Sequence, residues 1–193
     1  MSRDIRGACA LYYSYQVKGA DGRITVPFRR RVAHSFLKQY TQFLYLKFVS
    51  PTGESVTDTG GTGRTVTYDT SCDTNTAAGT ATEGLVVGTG TNAVAFTNTA
   101  LQTRIVHGTG SGQLSYGASV VNLPSSDSTS TTLILTRVFS NASGGSITVS
   151  EIGVYATMSG SSSWQFCLVR DLATIVLANG DQLTLNYILK TTA

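Results

Sequence analysis

The segment Ser146-Ile-Thr-Val-Ser-Glu-Ile-Gly-Val-Tyr155 restricts the possible folds more than any other stretch of the chain. Ile147 and Val149 alternate with polar residues, and Ile152 and Val154 do so one residue out of phase. Alternation at a period of two marks a half-buried strand. The slip would turn one apolar pair to solvent unless a bulge near Glu151 absorbs it. Further strands are expected on both sides, at 132–139 and 164–169, so this region reads as the middle of a packed β module.

Short β stretches also fall at 85–87, 93–96, 101–106, 114–121, 173–177 and 182–189. The last two flank Asn179-Gly180, a strong hairpin signal. Short strands with Gly- or Ser-rich turns at this spacing predict a mainly β chain. The expected fold is an antiparallel β-sandwich, jelly-roll-like or Ig-like. Residues 54–84, rich in Thr, Gly, Ser and Asp, read as a long surface loop with a short possible strand at 64–68. Asp171 is expected to end its strand.

The front of the chain looks different. Residues 1–28 read as an irregular N-terminal arm with a short hairpin around Asp21-Gly22, carrying Tyr12 and Tyr13 as contact residues. Over 29–49, Val32, Phe36, Tyr40 and Phe43 line up at helical spacing beside Ala33, Leu37, Leu44 and Phe48. That pattern predicts one long amphipathic helix, stopped by Pro51 and Gly53. The expected organisation is an arm and helix over 1–55 and a β-sandwich domain over 56–193.

Charge follows the same division. Residues 1–50 carry nine Lys/Arg against Asp4 and Asp21, while residues 51–193 carry five bases against nine acids. Arg29, Arg30 and Arg31 would sit at the N-terminal end of the expected helix, where the dipole disfavours cations, so helix stability does not explain them. They suit contacts with an acidic protein surface, a lipid headgroup or nucleic acid. Nucleic acid is the weakest of these, because no basic stripe continues into the body. No apolar stretch is long enough to span a membrane, and residues 1–7 do not resemble a leader, so synthesis in a reducing cytoplasm is expected.

Signals of chemistry are sparse. Gly88-Thr-Gly90 and Gly108-Thr-Gly-Ser-Gly112 neither open a helix nor precede a Gly-Lys-Ser/Thr, so they read as turns rather than phosphate loops. His34 and His107 are the only histidines and are far apart in the chain; no Gly-x-Ser-x-Gly elbow accompanies His107. Cys9, Cys72 and Cys167 form no CxxC pair, and Cys167 reads as a core hydrophobe. The expectation is a non-enzymatic chain with no catalytic residue, cofactor, metal or small-molecule substrate. Glu151 lies within the densest apolar stretch and needs a cation, with Arg137 and Arg170 as the candidates for a structural ion pair. Asn141-Ala-Ser143 matches a glycosylation sequon but carries no weight without a secretion signal. Trp164 either caps the core or stands out as an interface anchor.

Several of these stretches together resemble a known family. Gly84-Leu-Val-Val-Gly-Thr-Gly90, the 101–105 stretch, Arg137-Val-Phe139 with Ser143-Gly144, and Ile147-x-Val-x-Glu-Ile-Gly-Val-Tyr155 are similar in order to a domain of tailed-bacteriophage virion proteins. The N-terminal attachment domains of tail-fibre and tail-collar proteins show a VGxG strand, a β stretch and then EIGLY or EVGLF. Their L-x-R and L-x-V-x-Y close resembles Leu168-Val-Arg170 and Leu183-Thr-Leu-Asn-Tyr187. The likeness covers about 84–190. Val154 stands where Leu is usual, the 29–49 segment lies outside the pattern, and no fibre shaft follows, so a complete fibre is not expected. The resemblance implies a structural component of a tailed-phage virion, an oligomeric subunit of the tail, collar or fibre-attachment region. Its partners would be other copies of itself and other virion proteins, and its location the virion. A capsid-decorating (cement) protein and a receptor- or glycan-binding module stand as alternatives. The glycan reading needs an exposed aromatic platform near Trp164 or Tyr116. Arg29, Arg30, Arg31, Phe36, Tyr40, Phe43, Tyr12, Tyr13 and Trp164 are the interface candidates.

Overall fold

A computed structural model describes residues 9–33, 36–49, 53–67, 71–159 and 163–192. Its elements are β1 (Cys9–Lys18), β2 (Ile24–Val32), α1 (Lys38–Val49), β3 (Glu54–Thr57), β4 (Gly63–Val66), β5 (Ser71–Asp73) and β6 (Gly84–Gly88). β7 (Ser115–Val121), β8 (Ser125–Ser126), β9 (Ser130–Ser140), β10 (Ile147–Ser159), β11 (Ser163–Leu177) and β12 (Gln182–Thr192) follow. The chain is mainly β, with antiparallel sheets, as the alternating patterns predict.

One sheet runs β2-β1-β12-β9-β7, with β8 beside β9. In the other, β10 pairs with β11 on one edge and with both β5 and β6 on the other. The inner face of the first sheet is set by alternation: Leu183, Leu185 and Tyr187 of β12 are buried, while Thr184 and Asn186 between them are partly open. Burying side chains of this size contributes roughly 1.5–3 kcal/mol each. Bonds across the gap join the sheets: Tyr116 Oη donates to Val87 O at 3.3 Å and Arg137 Nη1 to Leu85 O at 2.8 Å.

The front of the chain departs from expectation. No long helix runs through 29–49. Arg29, Arg30 and Arg31 lie in β2, paired with Tyr15, Ser14 and Tyr13 of β1, and the helix begins only at Lys38. The helical spacing of 32–43 is real, but the tight turn at Gly19–Arg23, with Gly22 at φ 83°, aligns the following residues against β1. Cross-strand pairing then decides their conformation. Nor is there an irregular arm over the described residues 9–28: β1 lies between β2 and β12, inside the sheet. Residues 1–8 and His34 lie outside the described residues.

Other differences follow from tertiary pairing. Residues 54–66 form the hairpin β3–β4 rather than a loop; Tyr68 lies outside the described residues. Residues 93–96 and 101–106 are not strands; they belong to a loop laid along β6 and β10, held by bonds such as Ile105 N to Val87 O at 2.9 Å. Asp171 does not end its strand, because β11 runs unbroken to Leu177. The Asn179-Gly180 turn, with Gly180 at φ 89°, is a corner between the two sheets, since β12 pairs with β1 and β9 and not with β11. Asn141 in the preceding corner fastens it: its buried side-chain amide donates to Leu177 O at 2.9 Å, and Gly180 N donates to Asn141 O at 2.7 Å.

The irregularity expected near Glu151 is present, but on the neighbouring strand. Val149 pairs with Ile175 and Glu151 with Leu172, so the additional residue belongs to β11. From Glu151 to Ala156, β10 is buried on both faces. The phase slip in the sequence therefore reflects a strand covered from both sides.

Candidate functional site

Glu151 is the centre of a buried polar cluster. Its carboxylate accepts from Gly90 N at 3.1 Å, Gln102 N at 3.0 Å, Thr103 N at 2.7 Å and Arg170 Nε at 2.9 Å. Arg170 in turn donates to Asn98 Oδ1 at 2.9 Å and Asn92 O at 3.0 Å. Of the two expected cations, Arg170 makes the pair. The cluster pins the 89–106 loop to β10 and β11 and uses up the carboxylate, so it acts as a clasp. Glycines make room for it: a Cβ on Gly88 or Gly90 would fall 2.6 or 2.5 Å from Glu151 Oε1. Beside it, Tyr155 Oη accepts from Leu101 N at 2.7 Å. The segments 84–90, 101–105 and 147–155 are thus one connected unit.

Arg137 does not pair with Glu151. It is fully buried, and its guanidinium donates to Gly117 O at 2.8 Å, Glu83 O at 2.9 Å, Leu85 O at 2.8 Å and Thr80 O. The Tyr116 ring lies 4.7 Å from its guanidinium carbon. Desolvation lowers its pKa to about 10, well above neutrality, so it stays a cation held by carbonyl dipoles.

The arginine run lies on the exposed edge strand β2. Arg30 stacks over Tyr12 at 3.7 Å on the outer face of the sheet. Arg31 and Arg29 pair with Tyr13 and Tyr15 and share their inner face. Tyr13 and Tyr15 are both buried, so Tyr13 is a core residue rather than an open contact residue.

The helix reverses the expected roles of its faces. Phe43 is buried edge-on against Phe166, with centroids 5.3 Å apart, and Phe36 stacks on Tyr40 at 4.1 Å, both packed against the core. These three residues anchor α1 to its own sheet. The open side carries Leu44, Tyr45, Phe48 and Val49, with Phe48 81% exposed. The sequence places Leu44 and Phe48 on the apolar stripe, but they are not among the expected interface residues, and Tyr45 and Val49 are not singled out, although apolar residues on two sides of a short helix are a visible signal. Trp164 is half-buried against the core and lies 5.3 Å from Arg64, which makes it a cap.

The remaining candidates are structural. His107 Nδ1 accepts from Tyr116 N at 3.1 Å, and among the described residues no serine hydroxyl or carboxylate bonds to it. Cys167 is wholly buried, and burial pushes its thiol well up. Tyr116 is buried, so it offers no platform. Among the described residues no group of three His, Cys, Asp or Glu is placed to hold a metal ion, and no helix is long and apolar enough to cross a membrane.

No family model, no curated protein and no solved structure matches the chain.

Proposed function

We propose that this chain is a non-enzymatic structural subunit of a tailed-phage virion, an oligomeric β-sandwich of the jelly-roll or Ig-like kind in the tail, collar or fibre-attachment region. The observation that carries the reading is the Glu151 clasp. The motif segments that resemble the attachment domains, VGTG at 87–90 and EIGVY at 151–155, make direct contact through Gly90 N and Glu151. A short motif pair that forms one internal joint has a physical reason to occur together. The exposed helix face of Leu44, Tyr45, Phe48 and Val49 supports the assembly part of the reading, because such a patch suits burial by a neighbouring subunit.

The test is light scattering on the purified full chain. The expected result is a closed oligomer whose mass falls in Phe48→Asp without loss of the β circular dichroism spectrum. A wild-type chain that stays monomeric at high concentration, and that antibodies do not find on purified particles, would overturn the proposal. Copy number per particle separates the two virion readings: a ring's worth places the subunit in the tail, a shell's worth makes it a capsid decoration protein.

A further inference from the structure

A polar cleft of about 300 Å³ opens between β1 and β2 of the first sheet and β11 of the second. It is lined by Tyr13, Tyr15 and Arg31 on one side and by Leu172, Ala173 and Thr174 on the other. The second wall is the irregular part of β11, where the additional residue between the partners of Val149 and Glu151 falls. Bulges of this kind re-aim backbone and side chains next to sites.

The donors in this cleft are largely unused. Among the described residues, the Arg31 guanidinium has no carboxylate and no hydrogen-bond acceptor, and the Tyr15 hydroxyl has no partner. The Tyr13 hydroxyl makes only a long 3.5 Å bond to Leu172 O. The rings are rigid: Tyr13 and Tyr15 are each 8% exposed and stack with centroids 6.4 Å apart. The N–H fork of the exposed Arg31 beside two phenol hydroxyls able to donate, with no carboxylate lining the cleft, is complementary to a planar carboxylate. Charge narrows the class further. Arg31 is the one cation lining the cleft, and the buried Asp171, which accepts from Tyr187 Oη, lies next to Leu172. One cation set against a nearby carboxylate favours a monoanion over a phosphate dianion.

We infer that the Arg31–Tyr13–Tyr15 cleft is a binding site for a single carboxylate group, supplied either by a small acidic molecule or by an acidic side chain of a neighbouring polypeptide. This site does not depend on the virion reading.

The experiment uses the full chain, Arg31→Gln and Tyr15→Phe, with circular dichroism confirming that each is folded. Amide shifts of Tyr13, Tyr15, Arg31 and Thr174 are followed by NMR during titration with sodium acetate, glucuronate and inorganic phosphate. In parallel, light scattering gives the mass of each variant. If the carboxylate comes from a small molecule, acetate and glucuronate shift these amides saturably, at least tenfold more weakly in Arg31→Gln and severalfold more weakly in Tyr15→Phe. If it comes from a neighbouring copy, Arg31→Gln lowers the assembled mass. No saturable shift together with unchanged mass overturns the site, and phosphate binding more tightly than either carboxylate overturns the ligand class.

Discussion

Arg170 Nε donates to Glu151 Oε2 at 2.9 Å, with the two side chains 2% and 0% exposed. The pair is unequal. Glu151 has three backbone N–H donors besides Arg170, whereas the other partners of Arg170 are neutral carbonyl and amide oxygens. Taken alone, a buried ion pair suggests that replacing the acid by Leu is the milder change. The observed net reverses that order.

Glu151→Leu leaves three amide donors and a buried guanidinium without their acceptor, and is expected to cost about 5 kcal/mol. Arg170→Leu leaves a carboxylate still held by three N–H groups, and is expected to cost about 3 kcal/mol. Urea unfolding of both variants and of the double variant measures the order and the coupling. Equal midpoints would show that the backbone donors contribute little.

Arg137 is expected to tolerate neither Leu nor Lys. Leu removes the donor from four carbonyls, and Lys cannot span them with a single ammonium. A loss of about 2–4 kcal/mol is expected, with hydrogen exchange quickening first at residues 80–85. Wild-type exchange there in Arg137→Lys would contradict a role for the guanidinium fork.

Gly90→Ala is expected to cost about 2–4 kcal/mol, because its Cβ would lie 2.5 Å from both Gln102 Cβ and Glu151 Oε1. Gly145→Ala, where a Cβ meets nothing within 4 Å, is the control and is expected to shift stability by no more than about 0.5 kcal/mol. Thermal unfolding of the two variants side by side tests this.

Stability is expected to fall in alkali. Burial raises the Tyr116 phenol from 10.0 to about 12, and the Tyr187 phenol is raised well above 10.0 by burial and by the Asp171 charge. The folded state therefore binds these protons more tightly than the unfolded state does. Their contribution is complete below pH 10 and is lost at higher pH, for Tyr116 as pH rises through about 12. For Tyr116, two units correspond to about 3 kcal/mol. Absorbance at 295 nm should show these phenols ionising together with unfolding. Full ionisation of all nine tyrosines near pH 10 with the fold intact would contradict it.

Phe36→Asp is expected to weaken the fold itself, by about 2–3 kcal/mol, because Phe36 stacks on Tyr40 and packs against the core. A drop in melting temperature at unchanged oligomer mass separates this from the effect expected of Phe48→Asp.

By itself the sequence determined the β character of the chain, the strand run through 147–155, the burial of Cys167 and the need of Glu151 for a cation. Each of these rests on local periodicity or on the cost of burying a charge, and both are written into nearest neighbours. What the tertiary structure alone decided were the contacts set by distant partners. Arg170 rather than Arg137 meets Glu151, because the pairing of β10 with β11 brings it there. Residues 29–32 became a strand because β1 stood beside them, although their spacing with the residues that follow fits a helix equally well. Asn179-Gly180 turned a corner between sheets instead of closing a hairpin, since the neighbours of β12 are β1 and β9. Local pattern fixes which side of a segment is apolar; which partner covers that side is settled only when segments far apart in the chain compete for it.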